Sequence, residues 1–291
     1  MTRTPPLLVT GAPRSGTTWL ARLLAAGRRS ALAGREPMNP RGRQYALAHT
    51  LPGWARLESP SDRQARALRT AYRGLNPHTY SRYGYRQWAA PLPGVRLVVK
   101  DPFAMLSIPT VQRVTGATTV LLFRHPGATL VSYRRMGWRP NVAELTPIVH
   151  AFTERYGPAP GVVAPSPTND ETAAMAWFWN AVYGIALHDA RQLGDVLVLS
   201  HQDVALGGAD FCRTVFAQLG LRWHDRVTQQ LDPSGGGPAR ADQKALHNFD
   251  RSPAQVNREW ESKITSTERA QLEIETAEVH AGLLDLALRP S

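Results

Sequence analysis

The chain has almost no lysine and a single cysteine. Lys100, Lys244 and Lys263 are its only lysines against 34 Lys and Arg together, so arginine carries nearly all of its positive charge. Cys212 stands alone, which excludes an intrachain disulfide and a cysteine-based metal cage and fits a reducing compartment. No stretch approaches the roughly 18 uninterrupted apolar residues of a spanning helix. The short run from Pro5 to Thr10 cannot serve as the core of a signal peptide, because it leads straight into a glycine-rich turn. Internal repeats and a credible domain linker are also missing. These absences predict a soluble cytoplasmic protein of one domain, residues 1–291, with no membrane partner.

What is present is an ordinary globular composition: 291 residues, 43% hydrophobic and 20% charged, enough to bury a substantial core. The formal net charge of +11 favours anionic partners such as nucleic acid, an acidic membrane surface or a multiply charged nucleotide. The arginines are scattered rather than gathered into a tail or block, which argues against nucleic acid. The chain is compatible with a homo-oligomer and does not specify one.

Buried-strand runs appear at Leu7 to Thr10, Val95 to Val99, Thr118 to Phe123 and Asp195 to Ser200. Helical spacing follows the first, with Leu20, Leu23 and Leu24 on one face, and a long helical stretch runs from about Asp170 to Leu193. Thr267 to Leu288 has the composition of a terminal helix. Apolar strands alternating with helices predict an α/β fold, a central and mostly parallel sheet flanked by helices. Between them lie regions rich in Pro, Gly, Trp and Tyr, about 34–93 and 137–167, and a flexible loop at Asp232 to Gly237.

Gly11-x-x-x-x-Gly16-Thr17-Thr18 has the spacing of a P-loop, with threonine where lysine ordinarily follows the second glycine. Glycines permit the tight turn, backbone N–H groups converge on an oxyanion, and a helix N-terminus adds partial positive charge. Arg14 supplies the charge that the absent lysine would have given, and Ser15, Thr17 and Thr18 offer hydroxyls. The missing lysine, and strands that end as Lys100-Asp101-Pro102 and Arg124-His125-Pro126, argue against an ATPase or nucleotide kinase. That P-loop reading is the rival. A second cluster follows the strand ending at Phe123: Arg124, then Pro126, then Ser132 eight positions beyond the arginine on a predicted helix. An arginine fork and a serine hydroxyl can converge on one phosphate.

Gly11-Ala12-Pro13-Arg14-Ser15-Gly16-Thr17-Thr18-Trp19-Leu20 resembles the 5′-phosphosulfate-binding loop of sulfotransferases that use 3′-phosphoadenosine-5′-phosphosulfate (PAPS). Arg124 to Ser132 is similar to their 3′-phosphate-binding element, with Ala128 where the family often has Asp. The resemblance implies a P-loop-like sulfotransferase fold and a PAPS donor, with 3′-phosphoadenosine 5′-phosphate as product and no required metal. It implies nucleotide contacts from Arg14, Ser15, Gly16, Thr17, Thr18, Trp19, Arg124 and Ser132. The segment from Asp242 to Trp260 is similar to the family's late basic loop, though without its Arg-Lys-Gly form. Arg251 is the choice there, ahead of Lys244. Ser200 or His201 is placed toward the adenine.

Cytosolic members carry Lys-Thr-His where this chain has Lys100-Asp101-Pro102, so their histidine base is absent. Members acting on carbohydrate or protein carry a glutamate in the region of Glu36. Glu36 is therefore assigned as the carboxylate base, with Asp101 next and His125 a distant third. Lys100 and Arg14 are assigned to stabilise the leaving oxygen or the sulfuryl group. The acceptor is read as a hydroxylated small molecule, such as a secondary metabolite, against an aromatic wall from Trp54, Tyr72, Tyr80, Tyr83, Tyr85, Trp88, Trp138, Phe152 and Tyr156.

Overall fold

A computed structural model describes residues 4–40, 46–47, 49–158, 161, 170–231 and 259–290. Its centre is one sheet of six strands: β1 (Leu7–Thr10), β2 (Ser30–Leu32), β3 (Arg96–Lys100), β4 (Thr118–Phe123), β5 (Leu197–Ser200) and β6 (Ala287–Leu288). Their order is β2-β3-β1-β4-β5-β6, and every ladder is parallel. The expected α/β architecture is present. In register, Leu8 pairs with Val99 and Thr119, so the tips of β3, β1 and β4 lie side by side.

Alternation along the strands splits the core in two. Leu8, Leu97, Val99, Leu121 and Phe123 face the larger apolar cluster. Leu7, Val9, Val98, Val120 and Leu122 face the smaller one. The helix after β1, α1 (Thr17–Ala25), packs in the smaller cluster through Leu20, Leu23 and Leu24. Two helices, α2 (Asp62–Tyr72) and α3 (Ile108–Thr115), stand on the other face, as do α4 (Pro126–Met136), α5 (Val142–Tyr156) and α6 (Glu171–Leu193). Chains leaving β1 and β4 therefore diverge to opposite faces. Such a divergence opens a crevice at the carboxyl ends of two neighbouring strands.

After β5 come α7 (His201–Leu206), α8 (Gly208–Gln218) and α9 (Asp225–Leu231), then α10 (Ser266–Glu275) and α11 (Ala277–Leu286). The predicted terminal helix is thus two helices and a strand. It breaks at Thr276, whose Oγ1 donates to the Leu272 carbonyl at 2.7 Å, while Asn180 Nδ2 takes the Glu275 carbonyl at 2.8 Å. The Thr276 N–H still donates to the Leu272 carbonyl at 3.0 Å, so side-chain donors supplement the ladder at the break. The glycine- and proline-rich regions also hold α2, begun by a Ser61–Gln64 capping box, and α5. Among the described residues no helix is long and apolar enough to cross a membrane.

Candidate active site

The β1–α1 turn is built for close approach. Gly16 caps α1 at φ 98°, and Gly11 sits at φ 147°, both in territory that favours glycine. A Cβ on Gly11 would collide with the Leu122 carbonyl, and one on Gly16 with the His201 imidazole. Helix α1 has no side-chain cap and no acidic residue in its first turn. Its leading N–H groups and partial positive charge therefore point into the crevice undiminished. Thr17 is buried, whereas Thr18 and Trp19 are half-buried on the same turn. Ser15 is fully buried, its Oγ near the Tyr183 hydroxyl but without a well-formed hydrogen bond.

The two predicted phosphate motifs meet. Arg14, in the left-handed region at φ 72°, donates from Nε to Ser132 Oγ at 3.0 Å. Arg124 Nη1 donates to the Arg14 carbonyl at 3.3 Å. The sequence suggests two separate anion pockets; the structure has one cleft in which the first motif's arginine touches the second motif's serine. Arg124 is only 8% exposed, and burial followed by the Arg14 charge brings its pKa down to about 10. Burial first, then Arg135, also lowers that of Arg14. Two cations held together at such a cost in desolvation and repulsion make a receptor for an anion. The glycine cradle, uncapped helix, Ser15 hydroxyl and paired arginines fit a nucleotide carrying two phosphoryl groups.

One strand over, β3 ends at the remaining candidates. Lys100 Nζ is ion-paired with Glu36 Oε1, and Asn39 Nδ2 donates to Glu36 Oε2. Glu36 follows β2 by four residues, so the adjacent tips of β2 and β3 bring acid and lysine together. Lys100 and Glu36 side chains are 20% and 16% exposed, which leaves the carboxylate reachable. Asp101 differs. It has no exposed surface, and its carboxylate accepts from Met38 N at 2.6 Å and Phe103 N at 3.1 Å. Burial first, then the nearby Glu36 charge, pushes its pKa up. Asp101 thus caps the turn after β3 and offers no oxygen to a substrate. His125 is likewise committed, its Nδ1 accepting Gly127 N–H at 3.1 Å as the α4 cap.

Two residues that sequence reasoning assigned no role hold the cleft from below. Tyr183 on α6 accepts Ala12 N–H at 3.1 Å and donates to the Leu122 carbonyl at 3.0 Å, tying the β1 loop to β4. One turn earlier, Trp179 Nε1 donates to the Arg124 carbonyl at 3.0 Å. A polar tip at i and i+4 on a buried helix was the available signal. Tyr183→Phe leaves a buried N–H and a buried carbonyl without their shared partner. We expect a loss of about 1–3 kcal/mol in unfolding free energy, read by urea titration; unchanged stability would deny Tyr183 this role.

The His125 ring stacks on Trp260 at 4.6 Å and meets His280 edge-on at 5.9 Å. Burial first, then His280, pulls its pKa from 6.5 to about 4. The unfolded chain therefore binds the proton that the folded chain refuses. Stability is complete above pH 6.5 and declines as pH falls toward 4. Melting temperature is expected to drop between pH 7 and 5, and to drop less in His125→Asn, which keeps a capping side chain. Equal slopes in the two proteins would place the acid sensitivity elsewhere.

Of the predicted aromatic wall, Trp54, Tyr72 and Phe152 are core residues. Tyr83, Trp88, Trp138 and Tyr156 are exposed, and Trp138 lies 5.9 Å from the Arg14 guanidinium. His201 borders Gly16 and Trp19, 6.1 Å between rings, and Ser200 caps α7. Arg251, Lys244 and the loop from Asp232 to Gly237 lie outside the described residues.

Comparison with known proteins bears on the fold and the family. A sulfotransferase domain from the curacin biosynthetic pathway is 14% identical and aligns over 95% of this chain and 99% of its own, with a TM-score of 0.51. A sulfotransferase domain of the Synechococcus PCC 7002 olefin synthase is 18% identical over 95% of both chains, at 0.48. A mouse sulfotransferase complexed with PAP is 14% identical, covering 98% of this chain and 88% of its own, at 0.49. The first of these shows a shared fold. No curated protein sequence matches the chain significantly. The model of the sulfotransferase family matches residues 5–225, through both motifs of the cleft and the β3 tip, and the chain therefore belongs to that family.

Proposed function

We propose that this protein transfers a sulfuryl group from PAPS to a hydroxyl of a small-molecule acceptor. The observation that carries the reading is the convergence of Arg14, Arg124 and Ser132 at the tips of β1 and β4. The mouse sulfotransferase is complexed with PAP, the donor without its sulfuryl group. When bound, PAPS would supply a sulfuryl group on a leaving bisphosphate. The N–H groups from Gly16 to Trp19, the Ser15 hydroxyl and the Arg14 guanidinium would hold the 5′ end. Arg124 and Ser132 would hold the 3′ phosphate, with Arg251 as the late-loop candidate. Binding exchanges the Arg14–Ser132 hydrogen bond for bonds to the ligand.

Glu36 acts as the base. One carboxylate oxygen faces Lys100 and the other Asn39, and each oxygen retains a second lone pair for a substrate proton. Lys100 fixes the carboxylate before reaction and offers its ammonium to negative charge at the reacting centre. Asp101, capping backbone amides, leaves the rival nucleotide-kinase reading without an acidic ligand at the β3 tip. The single cysteine suits a reducing compartment, and we place the enzyme in the cytoplasm as one domain.

The test is turnover with PAPS and a panel of phenols and alcohols in EDTA, followed by mass spectrometry. Sulfated product with stoichiometric bisphosphate is expected. Magnesium-dependent cleavage of ATP, with no sulfated product from any acceptor, would replace this reading by the rival.

A further inference from the structure

Helix α2 carries a series of cations that no acidic side chain pairs with among the described residues. Arg63, Arg66 and Arg69 are exposed, one turn apart, and form no ion pair among the described residues. Its inward face, Ala65, Leu68, Ala71 and Tyr72, is buried, so the arginine row is fixed outward. Like charges at i, i+3 repel by roughly 0.2–0.5 kcal/mol per pair, and the helix's only acid is Asp62 in its first turn. Exposed arginines without an ion pair are common among the described residues, Arg82, Arg139 and Arg213 among them, but three on successive turns of one helix occur there only on α2. Elsewhere Arg134 lies between Glu171 and Glu268, Arg269 pairs with Glu273, and Arg155 with Glu58.

We propose that the outer face of α2 docks an acidic α-helix of a partner protein. The arginines form a diagonal ridge that rises about 9 Å along the axis, at 1.5 Å per residue, and turns about 60° round it at each step. Carboxylates one turn apart on an opposing helix match that row, and guanidinium forks bind carboxylates bidentately. Ala67 and Thr70 line a shallow groove beside Arg63 and Arg66, where small side chains let another helix approach. A membrane surface fits less well, because every apolar residue of α2 except half-buried Ala67 points inward and has nothing to insert. No aromatic ring lies on the exposed face for nucleobases to stack upon.

The location gives the contact consequence. Tyr72, at the carboxyl end of α2, is buried close to the Asp101 charge. Beyond it, the Ser81 hydroxyl donates to the Gly34 carbonyl at 2.8 Å, and Arg35 donates to the His78 carbonyl at 3.1 Å. Helix α2 thus leads into a segment that touches the loop bearing Glu36. The docking itself does not rest on the sulfuryl-transfer reading.

The experiment uses the full chain and a fluorescent synthetic helix with glutamates at i, i+3 and i+7, against its glutamine analogue, duplex DNA and phosphatidylserine vesicles. The glutamate helix is expected to bind in a salt-sensitive manner, at least tenfold tighter than the glutamine analogue. Arg63→Gln, Arg66→Gln and Arg69→Gln together should weaken it at least tenfold while adenosine 3′,5′-bisphosphate binding stays unchanged. A charge swap, Arg66→Glu with Arg69→Glu, should bind the matching lysine helix and keeps the test open if the triple variant misfolds. Equal affinity in wild type and variants overturns the proposal. So does tighter binding of DNA or vesicles through the same arginines.

Discussion

Glu36→Gln is expected to lower kcat at least about a hundredfold, within the ~10²–10⁴-fold range of a positioned base, while the affinity for the desulfated nucleotide changes little. The substitution keeps the shape of the side chain and its reach to Asn39 and Lys100. What it removes is the basic carboxylate, and with it the charge that pairs with Lys100. A hundredfold is about 2.7 kcal/mol of transition-state stabilisation, and stability must be read separately because the substitution also unmakes the largely buried Lys100 ion pair. Loss of turnover with unchanged melting temperature would separate catalysis from structure. Near-normal turnover would remove Glu36 from the role, and Asp101, held by two backbone amides, is not positioned to inherit it.

The second large effect is on binding. Arg124→Ala should weaken adenosine 3′,5′-bisphosphate by about 2 kcal/mol or more, the scale of a lost charged hydrogen bond. Burial gives Arg124 its leverage: at 8% exposure its charge is poorly screened by water. It also supports the left-handed Arg14 backbone through its carbonyl, so the variant loosens both halves of the cleft. Arg124→Lys keeps a charge but not the fork and should recover only part of the affinity. Arg14→Ala is expected to lose a similar amount. Calorimetric titration reads all three; unchanged affinity in the alanine variants would count against both assignments.

The parts of this site that were legible in the sequence are those whose chemistry is local. Gly11, Gly16 and the strand–helix junction between them announce a tight glycine turn at a helix N-terminus because turn, cradle and helix start all lie within a few residues. Arg124 and Ser132 are readable for the same reason, since a strand tip and the first turns of the next helix have fixed reach. The alternating apolar strands announced the parallel sheet. Contacts made across the fold were not legible. Asp101 looked like a spare acid because its partner, the Met38 amide, is distant in sequence and reached only when β2 and β3 pair. Tyr183 and Trp179 sit in an aromatic stretch that reads as core, and are core; their polar tips acquire a role only where α6 passes beneath β1 and β4. The break at Thr276 was hidden because the competing donor, Asn180, belongs to another helix.

The central claim is that one adenosine bisphosphate spans the cleft between β1 and β4. Titrating the wild-type chain with adenosine 3′,5′-bisphosphate, ADP and ATP, following the melting temperature, tests it most directly. A marked upward shift with the bisphosphate, persisting in EDTA and much smaller with ADP or ATP, is the predicted result. A shift as large with ATP, or none with the bisphosphate, would contradict the account.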